Sequence, residues 1–149
     1  MSLPPLNLPS YDCKLQKRDN KLYIFDQIRK KYLQLTPEEW VRQHFIHFLS
    51  QQGFPKSLMS IEAGLKLNKL QKRTDIVIYD RQGKPFMLVE CKAPEIKLSD
   101  ATFNQAASYN MVLKAPYLSI TNGMQHYFCH IDFENKKYSF LETIPKLEE

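Results

Sequence analysis

The stretch Arg73-Thr74-Asp75-Ile76-Val77-Ile78-Tyr79-Asp80-Arg81-Gln82-Gly83-Lys84-Pro85-Phe86-Met87-Leu88-Val89-Glu90-Cys91-Lys92 decides the fold. It contains two runs rich in β-branched and aromatic residues, separated by a short turn-rich segment with Gly83. Two such runs joined by a short glycine-containing loop predict a β-hairpin. If residues 81–84 form the loop, Asp80 pairs with Pro85. This first pair then sets the register of all other residue pairs in the hairpin.

The predicted register brings charged residues together at the far end of the hairpin. Asp75 is predicted to lie opposite Glu90, and directly opposed residues have Cβ atoms about 4.5–5.5 Å apart. Lys92 follows Glu90 by two residues, so the alternation of a strand places it on the same face. The sequence therefore predicts two carboxylates and one ammonium at the end of an otherwise apolar sheet.

Two interpretations fit this predicted cluster. Two carboxylates this close in a half-buried setting repel each other, and a divalent cation with hard oxygen ligands would relieve the repulsion. The alternative is purely structural, with Lys92 forming an ion pair with Glu90 or Asp75 at a strand end. The D…ExK spacing by itself does not decide between them.

Further motifs give the cluster a context. They are Thr74-Asp75-Ile76-Val77-Ile78, Glu90-Cys91-Lys92-Ala93-Pro94, Gln105-Ala106-Ala107-Ser108-Tyr109-Asn110, Leu35-Thr36-Pro37-Glu38-Glu39-Trp40-Val41-Arg42-Gln43 and Thr121-Asn122-Gly123. By these motifs the chain resembles the PD-(D/E)xK nuclease superfamily, and more narrowly the N-terminal nuclease domain of type I restriction enzyme R subunits and its stand-alone relatives. The resemblance covers roughly residues 25–130, with Thr instead of Pro before Asp75, and the chain has no ATP-binding GxxxxGK[ST] motif.

The resemblance implies a role for each residue of the cluster. It implies that Asp75, Glu90 and the backbone carbonyl of Cys91 bind Mg²⁺, for which Mn²⁺ is able to substitute. The Cys91 thiol is expected to point to the opposite face, into the core. Lys92 is expected to orient or activate the attacking water and to stabilise the negative charge that develops.

Four further side chains are candidates for the same site. The QxxxY pair Gln105 and Tyr109 lies four apart on a predicted helix, so both project from one face, and the resemblance implies that this helix positions nucleic acid or the lysine. The alternative is that Tyr109 is core and Gln105 is surface. Glu39 is either the helix carboxylate near the metal or part of a capping box, and Glu62 is a further candidate for the acidic pocket.

Basic residues indicate where nucleic acid would bind. The net charge is +5, and residues 1–35 hold seven basic and three acidic side chains. A second basic cluster, which leads directly into Asp75, is the stronger candidate for phosphate contacts. Its members are Lys66, Lys69, Lys72 and Arg73.

The remaining bulk properties indicate a soluble globular protein. The apolar content of 43% is ordinary, no apolar run is long enough for a membrane span, and the N-terminus has no signal-peptide pattern. Three cysteines without a CxxC spacing are expected to be reduced thiols, so a cytoplasmic location is predicted.

The element pattern predicts one α/β domain, residues 14–149, behind an extended arm, residues 1–13. Helices are predicted from Pro37 to about Gln52 and over residues 100–113, and the helix before strand 117–121 makes that strand parallel to strand 86–92. The remaining predictions are a hairpin with strands 15–17 and 22–25, a strand 58–67, a strand 126–131 after an Asn-Gly turn, and an edge strand 138–141.

The expected fold is a restriction-endonuclease-like mixed β-sheet flanked by helices. The expected function is that of a Mg²⁺-dependent DNA endonuclease domain of the type I restriction R-subunit kind. The alternative is a module on the same fold that binds nucleic acid or assembles with partners without cleaving. DNA is the expected partner, and a protein partner that supplies specificity is a further option, whereas target sequence, RNA cleavage, metal count and oligomeric state stay open.

Overall fold

The computed structural model of the chain describes residues 3–63 and 74–147. Within these ranges two α-helices and two sets of strands follow one another along the chain. They are β1 (Leu15–Arg18), β2 (Lys21–Asp26), β3 (Lys31–Gln34), α1 (Pro37–Gln51), β4 (Met59–Ala63), β5 (Thr74–Tyr79), β6 (Pro85–Cys91), α2 (Asp100–Leu113), β7 (Tyr117–Thr121), β8 (His126–Asp132) and β9 (Lys137–Leu141), with a short 3₁₀ turn at Lys56–Leu58.

The main sheet has the order β4-β5-β6-β7-β8-β9. Neighbouring strands are antiparallel except for β6 and β7, which run parallel because α2 carries the chain back across the sheet. The predicted α/β class, with a mixed sheet flanked by helices, is confirmed.

Helix α1 begins and ends at local sequence signals and covers one face of this sheet. The Thr36 side chain accepts a hydrogen bond from the backbone N–H of Glu39, Pro37 occupies the first turn, and Gly53 adopts a φ of +96° just beyond the helix end. Its apolar side packs into a core cluster with residues of β5 and β6. The cluster includes Val41, Phe45, Ile46, Leu49, Ile76, Ile78, Met87, Val89 and Cys91.

Helix α2 covers the opposite face. Ser99 and Thr102 form a reciprocal capping box at its start, and Lys114 ends it in the left-handed conformation. The second core cluster contains Val77, Leu88, Phe103, Ala106, Tyr109, Leu118, Ile120 and Cys129. The sheet is therefore covered on both sides, and alternate residues of β5 and β6 belong to different helical layers.

The small N-terminal sheet contains the predicted hairpin and one further strand. Strands β1 and β2 form the hairpin, and β3, which was not predicted, pairs with β2. The turn before β3 ends at Lys30, which has a φ of +59°. This conformation is usual for glycine or asparagine and uncommon for lysine, so the sequence gives no signal for the turn.

The arm ahead of β1 is held against the domain. Leu6 and Leu8 pack on the α1 side of the core, and the backbone N–H of Asn7 donates to the Gly123 carbonyl at 2.8 Å. Gly123 lies in the predicted Asn-Gly turn between β7 and β8, with a φ of +86°. A Cβ atom there would come within 2.8 Å of Leu6 Cδ2 and 3.0 Å of Val41 Cγ2, so the turn requires glycine for space as well as for conformation.

The strand predicted over residues 58–67 is observed as the 3₁₀ turn followed by β4, and its last residues lie outside the described ranges. Within the described part of the chain, neither helix is long and apolar enough to cross a membrane.

Candidate active site

Asp75 and Glu90 lie on adjacent strands, next to the last pair of the β5–β6 ladder. That pair is Ile76 with Val89, and continuing its register would set Asp75 against Glu90. Val77 and Leu88, two residues from each acid, both pack in the α2 cluster. The alternation of a strand therefore predicts that both carboxylates lie on the α2 face of the sheet.

The loop of the hairpin and its first residue pair were predicted incorrectly. The loop is residues 81–83, and Tyr79, not Asp80, pairs with Pro85. The Asp80 N–H donates to the Lys84 carbonyl at 2.8 Å, while Gly83 takes the positive φ that a three-residue loop requires. One unpaired extra residue in β6, Phe86, then restores the predicted pairing from Ile78 onward.

Both carboxylates are removed from solvent. Asp75 is 5% exposed and Glu90 is 0% exposed. Charged carboxylates are seldom this buried unless a cation or hydrogen bonds compensate the lost hydration. In the β4–β5 pairing Glu62 is the residue opposite Asp75, so the backbone register sets three acidic positions in one row across β4, β5 and β6.

Lys92 follows β6 directly. Its backbone N–H donates to the Thr121 carbonyl of β7 at 2.8 Å, so the strand hydrogen bonding continues to this residue. The alternation predicts that the half-buried Lys92 side chain shares the face of Glu90.

Cys91, between Glu90 and Lys92, confirms the alternation. It is fully buried in the α1 cluster, so its thiol points away from the acidic pair. Burial raises the pKa of the Cys91 thiol, and the charges of Asp75 and Glu90 raise this pKa further against the opposing effect of Arg42. The thiol therefore stays protonated and is core, which leaves the backbone carbonyl as the only metal-binding group that Cys91 can offer.

Gln105 and Tyr109 lie on α2, over the same face as the acidic pair. Tyr109 is 5% exposed and belongs to the core cluster with Val77 and Leu88, whereas Gln105 is half-buried one turn earlier. The packing alternative is thus met for Tyr109, which lies in the same core cluster as Val77 and Leu88.

Glu39 makes different contacts from those predicted. Its backbone N–H is capped by Thr36, but its carboxylate accepts from Arg42 Nη1 at 2.7 Å and from Gln43 Nε2 at 2.9 Å. The side chain therefore does not complete a capping box with Thr36. It lies on α1, which packs on the face of the sheet opposite to α2.

Arg42 is a buried cation on α1 that was not predicted from the sequence. It is only 3% exposed and forms ion pairs with Glu39 at 2.7 Å and Glu38 at 3.2 Å. Burial alone would lower the pKa of Arg42, but Cys91 and the nearby carboxylates, including Asp75, raise it above its ordinary value. Arg42 thus keeps its positive charge against Glu38 and Glu39, and these acidic residues three and four positions before it were the available signal.

Residues 3–63 and 74–147 contain no group of three or more His, Cys, Asp or Glu side chains that could hold a metal ion. Asp75 and Glu90 therefore offer two carboxylates, to which the Cys91 carbonyl would add a third oxygen. The predicted phosphate-binding residues Lys69, Lys72 and Arg73, and Lys66 beside them, lie outside the described residues.

Residues 37–145 match the family model of the type I restriction enzyme R protein N terminus. This match spans well over half of the chain. The chain belongs to this family. No curated protein and no solved structure gives a significant match.

The residues that match the family model include both helices and the whole main sheet. It runs from the first residue of α1 to beyond β9 and so contains Glu39, Asp75, Glu90, Lys92, and the α2 pair. The arm and the small sheet β1–β3 precede it. In this member of the R protein N-terminus family, the candidate active site thus lies wholly within the family region.

Proposed function

We propose that this chain is a Mg²⁺-dependent DNA endonuclease domain of the PD-(D/E)xK superfamily, acting by phosphodiester hydrolysis. One observation carries the proposal. Asp75 and Glu90 are buried side by side at the end of two apolar strands, with Lys92 next along the chain. Two adjacent buried carboxylates repel each other, and a divalent cation that takes both as oxygen ligands relieves this repulsion.

The side chains present fit Mg²⁺. Asp75 and Glu90 provide hard, negatively charged oxygen donors, and the Cys91 carbonyl provides a neutral one. Magnesium keeps several waters and is usually held by one or two carboxylates, so a larger protein cage is unnecessary. When bound, the ion would lower the pKa of its water and neutralise charge on the phosphoryl oxygens.

The chain's own residues supply the rest of the reaction. Lys92 Nζ is proposed to hold the attacking water through a hydrogen bond and to stabilise the negative charge that develops on the phosphoryl oxygens. A lysine can also exchange a proton at this atom, which an arginine would retain too firmly. Gln105 and Tyr109 would fix the position of the substrate or of Lys92 from α2.

Plasmid cleavage tests the proposal. The purified protein is incubated with supercoiled plasmid and Mg²⁺ or Mn²⁺, alongside Asp75→Asn, Lys92→Ala and an EDTA control. A matched variant, Glu142→Gln, removes an equal charge at an exposed position directly after β9. We expect nicked or linear product from the wild type and Glu142→Gln, and none from the other reactions.

Other outcomes would overturn parts of the proposal. Cleavage that persists in Asp75→Asn or in EDTA would refute the assigned site. Retardation of DNA without cleavage, at every metal concentration, would instead support a non-cleaving module on the same fold. In that case binding by Asp75→Asn should equal binding by the wild type.

A further inference from the structure

The small sheet β1–β3 carries aromatic and basic side chains on one face. Phe25 pairs with Tyr32, and their rings meet edge to face with centroids 5.3 Å apart. The Arg18 guanidinium lies over two rings, 5.4 Å from the centroid of Tyr23 and 5.7 Å from that of Tyr32. Lys14 Nζ lies 5.6 Å from the ring of Phe25. We refer to Lys14, Arg18, Tyr23, Phe25 and Tyr32 as the aromatic–basic platform.

The other face of the sheet fixes the platform to the domain. Ile24 and Asp26, which alternate with the platform residues of β2, are both fully buried. Burial alone would raise the pKa of Asp26, but hydrogen bonds from Arg29 and from the Ile28 N–H lower it. Just beyond β2, the side chain and backbone of Gln27 bond to α1 through Gln43. The small sheet is therefore a firm support and not a loose appendage.

The platform is open to solvent and polar at its edges. Arg18 and Lys14 are exposed, while the three rings are half-buried and keep part of their surfaces accessible. Gln16 and Gln34 each lie directly opposite Tyr23, so their amides share the platform face. The residues belong to the segment 1–35, which carries seven basic against three acidic side chains.

We propose that the aromatic–basic platform binds an unpaired nucleic-acid strand. Bases stack on aromatic rings and guanidinium planes, and cations around such rings hold the phosphates. An open antiparallel sheet bearing aromatic residues is a common support for this mode of binding. A duplex hides its base faces inside the stack, so it could use the cations but not the rings.

This inference is independent of the proposed metal site. The platform lies ahead of residues 37–145, the range of the family match, and contains none of the proposed catalytic residues.

Fluorescence anisotropy in EDTA tests the platform without any cleavage. The probe is a labelled oligo(dT) of about 15 nucleotides, a length within the usual site size of such surfaces. Two variants form a charge-matched pair on β1: Arg18→Gln alters the platform, and Lys17→Gln alters the opposite face of the same strand. We expect Arg18→Gln to weaken binding and to reduce the salt slope by about 0.7, and Lys17→Gln to change neither.

The rings are tested by a second pair of variants. Replacing Tyr23 and Tyr32 together by leucine should weaken binding roughly tenfold or more, because stacking on both rings is lost. Replacing both by phenylalanine should keep the affinity. If circular dichroism shows that the leucine variant is unfolded, the Arg18 and Lys17 pair decides alone.

Four outcomes would overturn the inference. They are no binding of oligo(dT) by the wild type, equal losses in Arg18→Gln and Lys17→Gln, full affinity in a folded leucine variant, and equal competition by a duplex of the same length. Because metal is absent throughout, these results are separate from those of the plasmid assay.

Discussion

Replacing Glu90 by glutamine removes one of the two adjacent buried charges and keeps the size of the side chain. Directly opposed residues place their side chains about 5 Å apart. At an effective dielectric constant of about 20, two unit charges at that distance repel by about 3 kcal/mol. The half-buried Lys92 attracts Glu90 by roughly 1 kcal/mol, which the substitution also removes. We therefore expect Glu90→Gln to stabilise the metal-free protein by about 1–2 kcal/mol.

Thermal unfolding followed by circular dichroism measures this effect. For a chain of this size, 1 kcal/mol shifts the melting temperature by about 2–4 °C, so in EDTA the variant should melt about 2–8 °C above the wild type. Added Mg²⁺ should raise the wild-type melting temperature, by the equivalent of about 2.7 kcal/mol at 100 times the dissociation constant. The variant should show little of this gain.

The exposed residue Glu95 supplies the control, since Glu95→Gln should change stability by less than about 0.5 kcal/mol. A Glu90→Gln protein that is less stable than the wild type in EDTA would show that Glu90 is held by a stabilising ion pair. Our reasoning about two repelling acids would then be refuted.

Three further predictions concern the fold around the site. Gly123→Ala should cost about 2–3 kcal/mol in urea unfolding, because it adds crowding to a positive φ, whereas Gly53→Ala, with a similar φ but nothing within 4 Å of the added Cβ, should cost only about 1 kcal/mol. Asp26→Asn should cost about 1–3 kcal/mol at neutral pH. Since the folded pKa of Asp26 is lowered, urea titrations should show this cost above pH of about 4 and its disappearance as pH falls further. Arg42→Met should destabilise the protein by about 3–5 kcal/mol in the same assay, because it leaves buried Glu39 without its cation; a loss below about 1 kcal/mol would contradict this ion-pair argument.

The elements with local signals were predicted well from the sequence. Thr36 and Pro37 at the start of α1, and Ser99 at the start of α2, are capping signals that act within one turn of chain. The register of β5 and β6 from Ile78–Met87 to Ile76–Val89 was also predicted correctly, since apolar alternation fixes which residues of the two strands face each layer.

The features that were missed depend on contacts distant in sequence or on unusual backbone angles. The loop is one residue shorter than predicted, and the extra residue Phe86 in β6 compensates for it. Because the two differences cancel, the register beyond the bulge is the predicted one. Strand β3 has only four residues, and it follows Lys30, whose backbone adopts the left-handed conformation. The ion pairs of Arg42 lie within α1, but its burial depends on how α1 packs against the rest of the domain, so it could not be read from the helix alone.

Crystals of the protein soaked in Mn²⁺ test the central claim most directly. An anomalous peak between the side chains of Asp75 and Glu90, within coordination distance of the Cys91 carbonyl, is the predicted result. A structure at saturating Mn²⁺ with the peak elsewhere, or with Lys92 occupying the space between the two carboxylates, would contradict it.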